Sequence, residues 1–348
     1  MRRLLIWVAI AIVLAGIPVM IVPWLWPAGA WLRAGAPLPT AGPATPTPQA
    51  RPADSPSVGA HADGLAAYPG GTRLYAIKPD GSAVVVADAA TSAVQSSIPI
   101  QGGAQNLAIA PDGAHVYVTT TSNGVAVIDT GSNAVTATIQ MPAGTEGVVV
   151  SPDSRYVYVT SGDKNLYTID ATNNRVLRSL PVGEAPSSVA VSHDGTYAYV
   201  ADPPKNVVAF VDLSRNEIDG TVPVGTNPLD LAVSNDGSRL YVANAGGDVS
   251  VVDVSARKVV NTIPLGGAPV AIAIAPNGQR LFVANGSATV TVVDTTTSGV
   301  IAEVPMQAAA YSIAVSGDNS HAYVAFYDGR LVVLDAVSMA VVSTIQAS

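Results

Sequence analysis

The chain contains no cysteine. That excludes disulfides, zinc–thiolate centres, a thiol nucleophile and a lipid-modified cysteine. Charged residues are scarce at 12% and aromatics scarcer at 5%. Histidine occurs only at His61, His115, His193 and His321, and no tryptophan follows Trp31. The chain also lacks a G-x-S-x-G elbow, an H-E-x-x-H helix, a Walker loop and a G-x-G-x-x-G turn, so the usual hydrolase, metalloprotease, nucleotide and dinucleotide signatures are missing. From this we expect no catalytic residue, no metal site and no cofactor.

Positive charge is scarce too. The formal net charge is −8. Arg2, Arg3 and Arg33 stand in the first 33 residues without an acid, so the rest carries 14 basic and 25 acidic residues, a net of −11. Such a surface repels a phosphate backbone and argues against a nucleic-acid partner.

Residues 1–33 have the character of a membrane segment. Leu4 to Val22 is a 19-residue apolar run, roughly 28 Å long as a helix, close to the hydrocarbon thickness of a bilayer. Arg2 and Arg3 precede it, which puts the N-terminus in the cytoplasm, and Trp24, Trp26 and Trp31 come after it, where an interfacial belt sits. A cleaved signal peptide is the rival, since Ala28-Gly29-Ala30 has the small-x-small form. Both readings export the rest of the chain, either tethered to the cell membrane by a single pass or released as a secreted or periplasmic protein. Residues 34–57 include seven prolines and read as an extended spacer, able to reach up to roughly 74 Å.

What the chain has in abundance is repetition. An aspartate recurs at Asp88, Asp129, Asp170, Asp212, Asp253, Asp294 and Asp335, spaced by 41 or 42 residues. An aromatic keeps the same beat at Tyr75, Tyr117, Tyr158, Tyr199, Tyr241, Phe282 and Tyr323. Each copy contains four short runs of alternating hydrophobicity, as antiparallel strands require. The first turn is Pro-Asp-Gly at Pro111-Asp112-Gly113, with variants ending at Gly195, Gly237 and Gly278; there Gly supplies positive φ and Asp caps the turn. The recurring aspartates have the same capping role at the third turn. A small residue centres the first strand of each copy, at Ala66, Ala108, Val149, Ala190, Ala232, Ala273 and Ala314, as strands converging on an axis demand. Proline marks the last strand at Pro99, Pro181, Pro223, Pro264 and Pro305, where it blocks further pairing at an exposed edge. The prediction is an all-β, seven-bladed propeller of four-stranded antiparallel blades over residues 58–348. Its blades cover about 58–100, 101–141, 142–182, 183–224, 225–265, 266–306 and 307–348, each complete within one stretch.

Tyr-Val-Ala-Asn at 241–244, Val-Val-Asp at 251–253, Thr-Ile-Pro-Leu-Gly at 262–266 and Tyr-Val-Thr at 158–160 carry a family signature. With them the chain resembles the YVTN-type (YVTN/lactonase-like) β-propeller repeat family, from Val58 to Ser348. The resemblance implies the propeller fold and kinship with surface-layer, exported and quinone-metabolism-associated members, and with lactonase-type propellers.

A site belongs where the copies differ. Just before each inner strand stands Asp63, Gln105, Glu146, Ser187, Leu229, Val270 or Tyr311. Ringing the channel mouth, these form a polar, acidic arc in blades 1 to 3, joined by His61, and an apolar arc in blades 5 to 7, with Asp230 beside Leu229. The candidate ligand-binding residues are therefore His61, Asp63, Gln105, Glu146, Asp230 and Tyr311, and they suit a cation or a hydroxyl-rich molecule. The second turns, starting at Lys78, Thr120, Ser161, Asp202, Asn244, Asn285 and Phe326, line the same face; Lys164, Lys205 and Arg330 on them could serve an anion. His115, His193 and His321 fall in or beside first turns of separate blades, too far apart to share one ion.

The expected function is a non-enzymatic, membrane-tethered module binding a small polar ligand or an envelope protein. The alternatives are a lactonase-like hydrolase using His61 with Asp63 or Glu146 at the mouth, and a structural envelope protein. Expressed with its own N-terminus, the protein should fractionate with membranes and resist carbonate extraction. A soluble mature protein beginning at Trp31 would instead establish cleavage.

Overall fold

A computed structural model describes residues 64–346 except Gly70 and Thr72. His61, Asp63, the apolar N-terminal run and the proline-rich spacer lie outside the described residues. Among the described residues no helix is long and apolar enough to cross a membrane.

The described chain forms seven four-stranded antiparallel sheets, each made of four consecutive strands in meander order. Blade 5 is representative, with strands Pro228–Val233, Arg239–Asn244, Asp248–Asp253 and Lys258–Pro264 running from the axis outward. The seven innermost strands touch one another in succession and so close a ring.

The second and third strands are buried on both faces, and the sequence pattern explains why. Their residues are almost continuously apolar, as in Arg-Leu-Tyr-Val-Ala-Asn, rather than alternating with charge, which suits strands covered on both sides. The buried residues gather into seven clusters, and each bridges two neighbouring blades. Closure uses the same device: Leu74, Ala76 and Val85 of blade 1 pack with Tyr323, Leu331 and Val333 of blade 7. The core therefore lies in the seams, not within the blades.

One register unites all seven blades. The small residue of the innermost strand sits opposite the recurring aromatic of the second strand: Ala66 opposite Tyr75, Val149 opposite Tyr158, Ala232 opposite Tyr241, Ala273 opposite Phe282, and likewise in the other three. Cross-strand partners share a face, so the large ring fills space that its small partner leaves. All seven rings are buried.

The turns use the predicted chemistry. Gly113, Gly195, Gly237 and Gly278 adopt φ of 69–73° at the first turn, and Ser154 and Asn319 take the same left-handed conformation in blades 3 and 7. At the third turn the recurring aspartate accepts from the following amides: Asp88 Oδ1 binds the Ala90 and Thr91 N–H groups at 3.0 and 2.8 Å, and Asp335 Oδ1 those of Val337 and Ser338. Four residues beyond each aspartate the chain turns left-handed at Ser92, Asn133, Asn174, Asn216, Arg257, Ser298 and Met339, a position that asparagine tolerates best among residues with a Cβ. Every outermost strand carries a register shift against the third strand, and the five prolines sit exposed at its end. Bulge and proline together blunt the edge.

Hydrogen bonds hold the turn aspartates well below the ordinary carboxyl range, with Asp253 at about 2. A depressed carboxyl stabilises the fold above its unfolded value and loses that contribution as pH falls toward its folded value. The melting temperature should therefore stay level from neutral pH down to about 5 and fall steeply between about 4 and 2. Asp253→Asn should lower it at neutral pH and shrink the acid-induced drop. A melting temperature that varies smoothly from pH 7 downward would contradict this assignment.

Candidate functional site: bulged residues at the channel mouth

The innermost strands begin earlier than expected, and this changes what the mouth residues are. Gln105, Glu146, Leu229, Val270 and Tyr311 lie inside strands Ala104–Ile109, Thr145–Val150, Pro228–Val233, Pro269–Ile274 and Ala310–Val315, not before them. In blade 5, Pro228 pairs with Asn244 and Asp230 with Ala243, leaving Leu229 as an extra residue without an opposite number. Val270, Tyr311 and Gln105 are bulged in the same way, and in blade 3 the ladder skips Glu146 and Gly147 opposite Thr160. A bulge re-aims its side chain out of the ladder, so five blades present a variable side chain at one level of the ring.

The residue after each bulge is Asn106, Gly147, Asp230, Ala271 or Ser312, with Gly64 and Ser188 in the remaining blades; all are buried. Asp230 is 2% exposed. Its Oδ1 accepts from Ser188 Oγ of blade 4 at 2.9 Å and from Leu231 N at 2.8 Å, and its Oδ2 from Ile272 N of blade 6 at 2.8 Å. The carboxylate thereby ties three consecutive blades together. Tyr311 works similarly at closure: its hydroxyl donates to the Ile77 carbonyl of blade 1 at 2.6 Å, and its ring is 5.2 Å from that of Tyr327. Gly64 admits this ring, for a Cβ there would meet it at 2.7 Å. Burial raises the Tyr311 phenol, keeping it a donor.

Gln105 and Glu146 face a different environment. Both are partly exposed. Burial pushes the Glu146 carboxyl up from its ordinary value. Among the described residues the side-chain oxygens of Gln105, Asn106, Ser187 and Ser312 are buried without a hydrogen-bond partner. Buried polar atoms ordinarily have partners, so this level of the ring has acceptor capacity that its own side chains leave unused.

The second turns have a structural task that sequence reasoning missed. Asp202 accepts from the Glu184 and Ala185 N–H groups at 3.0–3.2 Å, so it organises the connection between blades 3 and 4. Asn244 Nδ2 donates to Asp248 Oδ1 and Ser250 Oγ, and Asn285 Nδ2 to Thr289 and Thr291. The family-like asparagine thus pins the second turn to its own blade. Lys205 lies 3.6 Å from Glu184 and 3.7 Å from Asp202, and Arg330 2.7 Å from Asp328, so both cations already have acidic neighbours. Phe326 is buried in the seam of blades 6 and 7. His115 and His321 begin second strands and His193 lies in a first turn.

Removing the Asp230 carboxylate strands three donors at once. Asp230→Ala should therefore cost about 3 kcal/mol or more of unfolding free energy, as loss of a buried hydrogen-bonded charge does, and Asp230→Asn about 1–3 kcal/mol, because an amide presents only one acceptor oxygen. Denaturant melts of the two variants measure both; a loss under about 0.5 kcal/mol would mean the blades do not depend on this carboxylate.

Comparison with known proteins agrees with this architecture. Residues 217–335 match the family model described as "Lactonase, 7-bladed beta-propeller", and residues 63–205 match a domain of unknown function, DUF5074. No curated protein matches. Among solved structures, one described as Kuenenia stuttgartiensis hydrazine synthase superposes with a TM-score of 0.74 at 19% identity, covering 83% of this chain and 99% of that one. At that identity the likeness is one of fold. The lactonase-propeller match, the seven blades and the Tyr-Val-Ala-Asn and Tyr-Val-Thr repeats fit a YVTN/lactonase-like β-propeller family.

Proposed function

We propose that the chain is an exported, membrane-tethered propeller that binds a small polar ligand at the channel mouth without transforming it. The observation that supports this most is the set of five bulges in the innermost strands, at Gln105, Glu146, Leu229, Val270 and Tyr311, where the side chain differs from blade to blade. Gln105 and Glu146, together with His61 and Asp63, take the polar part of the ligand; Leu229, Val270 and the Tyr311 ring take its apolar part. Asp230 positions the wall rather than touching the ligand, because its two oxygens accept from donors on blades 4, 5 and 6. The buried oxygens of Gln105, Asn106, Ser187 and Ser312 favour a ligand that donates hydrogen bonds or carries positive charge.

The family match at 217–335 supports a second reading, lactone hydrolysis at the same mouth. General acid–base work would fall to His61 with Asp63 or Glu146. Turnover of a lactone that disappears in His61→Ala or Glu146→Ala would establish it in place of simple binding.

The binding reading is tested by thermal shift of the full chain against divalent ions and small polyols, repeated on Asp63→Asn/Glu146→Gln. Stabilisation reports affinity for the folded state, so a shift present in the parent and lost in the double variant is expected. Equal shifts in both proteins would place binding elsewhere. Because burial raises the Glu146 carboxyl, a donor or cation bound to its ionised form should bind more weakly as pH falls through that raised value. Affinity that is flat from pH 7 to 4 would remove Glu146 from the site.

A further inference from the structure

A groove of about 590 Å³ opens between blades 3 and 4 at the first and third turns, the opposite end of the blades from the channel mouth. Its walls include Tyr156, Tyr158, Arg178, His193 and Leu213. Two of these break the repeat. Arg178 stands on the outermost strand of blade 3, Arg175–Pro181, opposite Thr168. The corresponding residues are Ser96, Ala137, Gly220, Asn261, Ala302 and Ser343, all small or neutral. His193 replaces the proline of Pro111, Pro152 and Pro276 in its turn.

Part of the Arg178 side chain has a structural use. One N–H donates to the Leu213 carbonyl of blade 4. The same third-turn carbonyl is held in other seams by arginines of the second strand: Arg73 donates to Thr130 O, and Arg280 to Ala336 O. At the seam of blades 3 and 4 that second-strand position is Tyr156, so the clamp comes from the outermost strand and a guanidinium enters the groove. One bond uses one of five guanidinium N–H groups. Among the described residues Arg178 forms no ion pair, whereas Arg215, Arg239, Arg257 and Arg330 each do. Asp153 and Asp194 at the rim are occupied by their own turns: Ser151 and Ser192 donate to them at 2.6 Å, and Thr196 N donates to Asp194 at 3.0 Å.

We infer that this groove is an oxyanion site, in which Arg178 binds a carboxylate or phosphate group of a small ligand whose body lies against Tyr156 and Leu213. A guanidinium fork matches either group in a two-bonded geometry. The site is separate from the channel mouth and does not depend on it.

The full chain is titrated with inorganic phosphate and, in a second arm, with citrate, both at constant ionic strength in chloride, and saturable binding is read by calorimetry. Saturation in either arm is expected, and the tighter arm tells phosphate from carboxylate. Arg178→Gln, which keeps a donor for the Leu213 carbonyl, should weaken binding at least ten-fold. His193→Glu, at an exposed turn that makes no clamp, should weaken it likewise by placing a negative charge in the groove. Lys258→Gln, which removes an exposed cation of blade 5, should bind like the parent. Absence of saturable binding in both arms, or binding unchanged in Arg178→Gln and His193→Glu, would overturn the assignment.

Discussion

Everything in this molecule depends on blades burying their faces against one another. A single four-stranded sheet of Leu-Tyr-Val-Ala-type strands exposes apolar surface on both sides and has no core of its own. Stacking seven of them in a ring converts that surface into seven seams, and closure leaves no blade with a bare face. Burial of apolar area is the dominant favourable contribution to folding. The ring takes it from contacts 41 or so residues apart, with the seam of blades 7 and 1 alone joining the two ends of the repeat. The pairing of a small innermost residue with a large aromatic serves the same end, because ring geometry allows bulk at the second strand and little at the axis.

Polar groups specify what apolar burial leaves open. The turn aspartates bind their own turns and fix strand length, which sets the period of the repeat. Asp230, Tyr311 and the second-turn Asp202 instead reach into neighbouring connections or blades, so they govern how one blade meets the next. A buried carboxylate is tolerated at Asp230 because backbone amides and a serine hydroxyl surround it. The framework has slack at the bulges at the mouth, and at the seam of blades 3 and 4, where the clamp on the third-turn carbonyl is supplied from a different strand; these are the two places where binding is proposed.

Repetition made the fold legible from residues alone. A period of 41 or 42 carried through seven copies, a positive-φ glycine after aspartate, alanine at the axis and proline at the rim are local consequences of blade geometry, and each has one physical reading. The candidate site was only partly legible. Variation before the inner strand drew attention to Gln105, Glu146, Leu229, Val270 and Tyr311, but their bulged state depends on pairing with residues some 15 positions later, which periodicity does not encode. Asp230 and Tyr311 stood out as departures from the repeat, yet their departures serve blade-to-blade bonding. The signal that would have separated them is small: the buried position after each bulge admits Gly, Ala, Ser, Asn or Asp and nothing larger.

By itself, then, the sequence determined the number of blades, their strand order, the turn types and the acidic character of the chain beyond residue 33, because all of these follow from local conformational preference and composition repeated in register. The tertiary structure alone decided which oxygen meets which amide across a seam, that Lys205 lies beside Glu184, and that Arg178 enters a groove formed by the next blade. Those facts join residues of different blades or turns, and a hydrogen bond or ion pair depends on a few ångströms of approach that only the closed ring sets.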